Sequence, residues 1–151
     1  MTYDHKQTGK LHLILLASVV ILMAWLGPAF HATSSVWLII LVLFVPFIVF
    51  LALSFQRLLI RDEGDHLTLH YGPVPLFWKR FPYSQMTAVE PSRSNILDGW
   101  GIHWVPGRGW TYNLWGFDCV KVQMGKKTVK IGTDDVDGLV AFLRGKIGEK
   151  P

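Results

Sequence analysis

LHLILLASVVILMAWLGPAF, residues 11–30, is followed by the polar break HATSS, residues 31–35, and then by VWLIILVLFVPFIVFLALSF, residues 36–55. No Asp, Glu, Lys or Arg lies between Lys10 and Arg57. Each run holds about the 20 apolar residues that a helix needs to cross a hydrocarbon core of roughly 30 Å. Neither run has the polar face at 3.6-residue spacing that a helix resting on a soluble core shows. A helix satisfies its own backbone hydrogen bonds in lipid, and so short a break predicts an antiparallel pair. The expectation is a transmembrane helical hairpin over residues 11–56, with spans at about 11–30 and 36–55. Gly27 and Pro28 fall where the first helix should end, and Pro46 predicts a kink in the second. The first run is too long for a cleaved signal peptide, and a second apolar run follows it at once.

All of the 15 Lys and Arg and 11 Asp and Glu of this 151-residue chain lie outside that gap. Lys6 and Lys10 precede the first run, Arg57 and Arg61 follow the second, and the break between them carries no cation. Cation-rich short segments stay in the cytoplasm, so the expectation is a multi-pass protein of the bacterial inner membrane with both termini cytoplasmic. Residues 1–10 then form a cytoplasmic N-terminal segment. The net charge of +4 suits an anionic leaflet and is too mild to indicate nucleic acid. A single cysteine, Cys119, excludes an intrachain disulfide and a zinc ribbon; its apolar flanks read as a packed thiol in a strand.

From Arg57 onward, over residues 57–148, short alternating runs are bounded by turn residues, as in an antiparallel sheet. RLLIR leads into the turn Asp62-Glu63-Gly64-Asp65 and then HLTLHY, in which Leu67 and Leu69 face one way and His66, Thr68 and His70 the other. Pro73 and Pro75 make GPVPL a loop, since each removes a ladder donor. FWKRFPY and QMTAVEPSR follow. A hairpin then runs from Ile102 to Trp115, with Pro106-Gly107 at the centre of a type II turn. Alternation places Trp104 and Trp110 on its core face. FDCVKVQM turns at Gly125-Lys126 into TVKIGT, giving about seven strands. Val136, Leu139, Val140, Leu143 and Ile147 then recur at helical spacing, which predicts a C-terminal amphipathic helix over about 134–147 with Thr133 as N-cap.

RFPYSQMTAVE, GWGIHW, GWTYNLWGFDCVKVQM and KKTVKIGTDDVDGLVAFL resemble the bacterial pleckstrin-homology-like (PH-like) domains of small membrane proteins, in which a helical hairpin precedes a cytoplasmic domain. The resemblance implies a PH-like antiparallel β-barrel of about seven strands capped by one C-terminal helix. With the membrane hairpin, the fold class is α+β with a membrane part. Phosphoinositide binding, known for eukaryotic PH domains, uses cations around the first hairpin. Here that turn is acidic.

No catalytic constellation, cofactor fingerprint or metal motif stands out. The Gly99-Trp100-Gly101 and Gly107-Arg108-Gly109 pieces open no helix, so they read as turn and bulge glycines rather than a phosphate loop. His66 and His70 lie more than about 10 Å apart along a strand, and with His103 they are the only basis for an enzyme, the least favoured function. The leading expectation is a non-enzymatic module that docks an unidentified membrane or cytoplasmic protein, or a second copy of itself. Its candidate partner-binding residues are Trp100, Trp104, Arg108, Trp110 and Trp115, residue types that anchor interfaces. The alternative is a module that binds or senses anionic membrane lipids through Arg57, Arg61, Lys79 and Arg80, the last two set among Phe77, Trp78, Phe81 and Tyr83.

Overall fold

The computed structural model describes residues 2–27, 39–95 and 100–148. Strand β1 (Asp4–Thr8) comes first, then helix α1 (Leu11–Leu26). A π-helical turn (Ile40–Phe44) leads into α2 (Val45–Ser54). Eight strands follow: β2 (Arg57–Asp62), β3 (His66–Gly72), β4 (Trp78–Pro82), β5 (Met86–Arg93), β6 (Gly101–Val105), β7 (Gly109–Asn113), β8 (Asp118–Met124) and β9 (Lys127–Gly132). Helix α3 (Val136–Ile147) is last.

Two expectations are corrected. No helix among the described residues is long and apolar enough to cross a membrane. The 16 residues of α1 rise about 24 Å, short of a hydrocarbon core of roughly 30 Å. The 10 residues of α2 rise about 15 Å. Pro46, near the start of α2, has no N–H to close an α-turn, and the turn before it widens to π where a kink was expected. Pro28, the HATSS break and the start of the second run lie outside the described residues. The transmembrane hairpin is therefore withdrawn. The multi-pass inner-membrane placement with cytoplasmic termini goes with it, because the charge rule orients helices only when they span.

Among the described residues nine strands form two sheets, not one barrel of about seven: β1-β2-β3-β4, and β5-β8-β9-β7-β6. All pairs are antiparallel except β7 with β9. The strand missing from the sequence reading is β1. Its residues Asp4, His5, Lys6, Gln7 and Thr8 are all polar, yet they pair in register with Arg61 through Arg57. The helix pair is thus an insertion between two neighbouring strands of one sheet.

A single apolar core draws on both sheets. Leu58 and Ile60 of β2, Leu67, Leu69 and Tyr71 of β3, and Val120, Val122 and Ile131 of the second sheet are buried. Helix α3 covers β5 and β8 with Leu139, Val140 and Leu143. Its N-cap is Asp135, not Thr133: Asp135 accepts from the Gly138 N–H at 3.1 Å, while the Thr133 hydroxyl accepts from the Asp135 N–H. Gly148, in the left-handed region, ends the helix.

Candidate functional site

Both apolar helices leave the fold at one place, the Thr8–Arg57 end of the β1–β2 pair. There the Gly9 N–H donates to the Gln56 carbonyl at 3.1 Å, closing the root of the insertion. The helices pack on each other, but their outward sides meet nothing among the described residues. Leu13, Val20, Ile21 and Trp25 of α1 are exposed, as are Phe47 and Phe50 of α2. Trp25, near the far end of α1, is 77% exposed. On α1 the exposed positions span about half the circumference, so no single neighbouring helix covers them.

Aromatic residues gather at the root. Phe55 lies edge-on to Tyr71 at 5.5 Å and 5.2 Å from Phe77. Leu76 and Trp78, on either side of Phe77, are exposed. On the other side, Trp100 stacks on Trp115 with centroids 4.3 Å apart, and its Nε1 donates to the Gly116 carbonyl at 3.2 Å. Trp115 is seated by the core and by Gly9; a side chain at Gly9 would run into Leu114 and Trp115. Gln7 donates to the Trp115 carbonyl at 3.2 Å. Trp100 and Trp115 therefore belong to this collar.

Trp104 and Trp110 do not belong to it. They oppose each other across β6 and β7. Exposure rises from Leu114, just past the end of β7, at 0% through Tyr112 at 7% to Trp110 at 44%, and Trp104 is 57% exposed. Alternation chose the correct face, but the hairpin carries that face beyond the end of the core. Their expected core position is corrected on that ground. The reversal is the type II turn: Arg108 N–H donates to the Val105 carbonyl at 3.0 Å and Gly107 has φ +74°. Arg108 stands at the tip, exposed. Gly109 (φ +86°) passes against the Thr128 carbonyl, where a side chain would collide.

Cations share the outer face of the four-stranded sheet. Register places Asp4, Arg61, Thr68 and Arg80 in one cross-strand row, and Lys6, Leu59, His70 and Trp78 in the next. Thr8, Arg57 and Gly72 form the row nearest the helices. Arg61 Nε donates to Asp4 Oδ2 at 2.9 Å, and the Arg80 guanidinium lies 5.0 Å from the Trp78 ring centroid. Lys79 opposes Leu69, so alternation turns it to the other face, away from Arg80. Lys10, at the N-cap of α1, adds a cation at the root. In the sequence Lys6 and Lys10 bear only on orientation; their place on this face depends on the pairing of β1 with β2. The signal was their position just before an apolar run, as Arg57 stands just after one.

The three histidines named for an enzyme are not assembled. His66 and His70 lie on β3 and His103 on β6 of the other sheet, and no group of three metal-ligating side chains forms among the described residues. Cys119 is buried.

Comparison with protein-family models, with curated proteins and with solved structures finds no match to this chain.

Proposed function

We propose that this protein is a non-catalytic module that docks on an anionic lipid surface. The observation that carries the reading is the apolar helix pair, exposed on its outward sides and rooted in a collar of Lys10, Arg57, Trp78 and Trp100. A second protein helix covers one stripe of such a pair, whereas acyl chains cover every outward side. Tryptophan and basic side chains favour the headgroup level, where an apolar ring body and a charged tip each find a suitable medium. Docking of this kind needs no helix to cross. The basic outer face, carrying Lys6, Arg57, Arg61 and Arg80 against Asp4 alone among the described residues, supplies a preference for negative charge.

Flotation of the full chain, diluted from neutral detergent into preformed vesicles, tests this. Recovery with phosphatidylglycerol vesicles should exceed recovery with phosphatidylcholine vesicles, and the excess should shrink from 50 mM to 500 mM salt as charges are screened (Debye length about 10 Å at 0.1 M). Equal recovery with both lipids at low salt would refute the anionic preference, and absence from both would refute lipid docking.

A second reading has its own observation. Trp104 and Trp110 present two exposed indoles on the edge hairpin, remote from the collar. They suit a protein partner or a second copy of the chain.

A further inference from the structure

We infer that a phosphate ester is held in the cleft between Arg57, Arg61 and His70 on the outer face of the four-stranded sheet. This rests on the lipid-docking reading above and names the group that the surface presents. The cleft measures about 230 Å³. Its floor is Leu59, and the loop carrying Pro73 and Pro75 forms one wall.

Three features select an anion with several acceptor oxygens. First, Arg57 has no carboxylate partner among the described residues, and its guanidinium lies against the bare backbone of Gly72. A Cβ there would come within 3.3 Å of Arg57 Nε. Second, Arg61 donates to Asp4 through Nε, and among the described residues no hydrogen bond engages its terminal nitrogens, which stay open to a ligand. Third, among the described residues no carboxylate lines the cleft. Asp4 neutralises one cation and Arg57 remains in excess, so the cleft attracts negative charge.

The geometry narrows the class further. Arg57 and Arg61 flank Leu59 on one strand, and Leu59 stands directly opposite His70 in the register. Two guanidinium forks and an imidazole converging on one apolar floor give donors in several directions. That suits a tetrahedral phosphate better than a planar carboxylate, and each fork pairs with two phosphate oxygens at once. The cleft opens beside the root of the helix pair, at the Arg57–Gly72 row, where a headgroup phosphate would stand if the helices lie among acyl chains. The acidic turn Asp62–Asp65 is at the other end of the same strands.

A phosphate ester can come from a phospholipid or from a soluble molecule, and two experiments on the full chain separate the sources. In the first, flotation compares vesicles bearing phosphatidic acid with vesicles brought to the same surface potential by a carboxylate amphiphile. In the second, inorganic phosphate is titrated calorimetrically into the chain in neutral detergent, with sulfate and chloride as ionic-strength controls. The expected result is about tenfold tighter binding to phosphatidic acid, equivalent to about 1.4 kcal/mol. Arg57→Gln should abolish that ratio. Arg80→Gln, which removes the same charge from the same face outside the cleft, should weaken binding to both vesicles and keep the ratio.

Phosphate binding in detergent that Arg57→Gln removes, without a phosphatidic acid preference, would assign the cleft to a soluble phosphate ester. Absence of both the preference and the phosphate binding would overturn the inference. If the chain binds no vesicle, the lipid-docking reading fails, and the calorimetric experiment still decides the cleft by itself.

Discussion

The Lys146 ammonium lies 2.9 Å from the Asp62 carboxylate, which is only 3% exposed, and so fastens the last turn of α3 to the β2–β3 hairpin. Tyr83 donates to the same carboxylate at 2.8 Å and the Gly64 N–H at 2.9 Å. Lys146 also lies over the Tyr83 and Phe142 rings. Removing one partner of a fully buried pair costs roughly 3–5 kcal/mol. Lys146 is partly solvated and Asp62 keeps two other donors, so Lys146→Met should cost about 2 kcal/mol. Thermal unfolding of the full chain in neutral detergent, monitored by near-ultraviolet circular dichroism, measures it. An unchanged Tm would mean that the contact holds nothing.

The same carboxylate sets an acid limit. Burial alone would raise the Asp62 pKa; hydrogen bonds from Lys146, Gly64 and Tyr83 outweigh it and hold the group below the usual carboxylate range. A depressed folded pKa stabilises the fold fully above the unfolded value of about 3.9 and loses that contribution as pH falls through the folded value. The Tm gap between wild type and Asp62→Asn should therefore be constant from pH 7 to about pH 5 and close below about pH 4. A gap that widens in acid would reverse the sign.

The cap of α3 has a second tie. Asp135 accepts from Gly138 and also from the Tyr3 hydroxyl at 3.0 Å, so the residue just before β1 and the first turn of α3 share one carboxylate. Asp135→Ala should cost somewhat more than the about 1 kcal/mol of an ordinary cap. Tyr3→Phe keeps the ring stacked on Phe142 and should cost less. Equal losses in the two variants would place the stabilisation in the Tyr3 contact and not in the cap.

The aromatic hairpin separates into structural and exposed parts. Leu114→Ala, at a fully buried site, should cost about 2–5 kcal/mol. A Trp104→Ser, Trp110→Ser double variant should change stability by about 0.5 kcal/mol or less, as surface substitutions do. If these indoles join two copies, light scattering in neutral detergent will show a wild-type mass above one chain and a variant mass of one chain. A wild-type mass of one chain would remove the self-association reading.

What could be read from residues alone follows the strength of each local pattern. Helix α3 was legible because Val136, Leu139, Val140, Leu143 and Ile147 keep one period over its whole length. Strand β1 was not, because its residues are polar on both faces and its partner lies beyond the long apolar insertion. Apolar composition marked the helix pair but not its local geometry, in which the turn before Pro46 widens from α to π. Alternation gave Trp104 and Trp110 their face but not the end of the core, a tertiary fact. Among the candidate cations, sequence adjacency grouped Lys79 with Arg80, whereas the pleat divides them and cross-strand register joins Arg80 to Arg61. Within the aromatic set, only Trp100 and Trp115 come together at the root.

The most direct measurement is the depth of a spin label at Val20→Cys, on the exposed side of α1, in the full chain bound to phosphatidylglycerol vesicles, with Trp104→Cys as reference. Lipid docking predicts that power saturation finds the Val20 label open to oxygen and closed to a nickel chelate, and the Trp104 label the reverse. A Val20 label open to the nickel chelate in vesicle-bound protein, or closed to both reagents and dipolar-coupled to a second copy, would contradict a lipid covering of the helix pair.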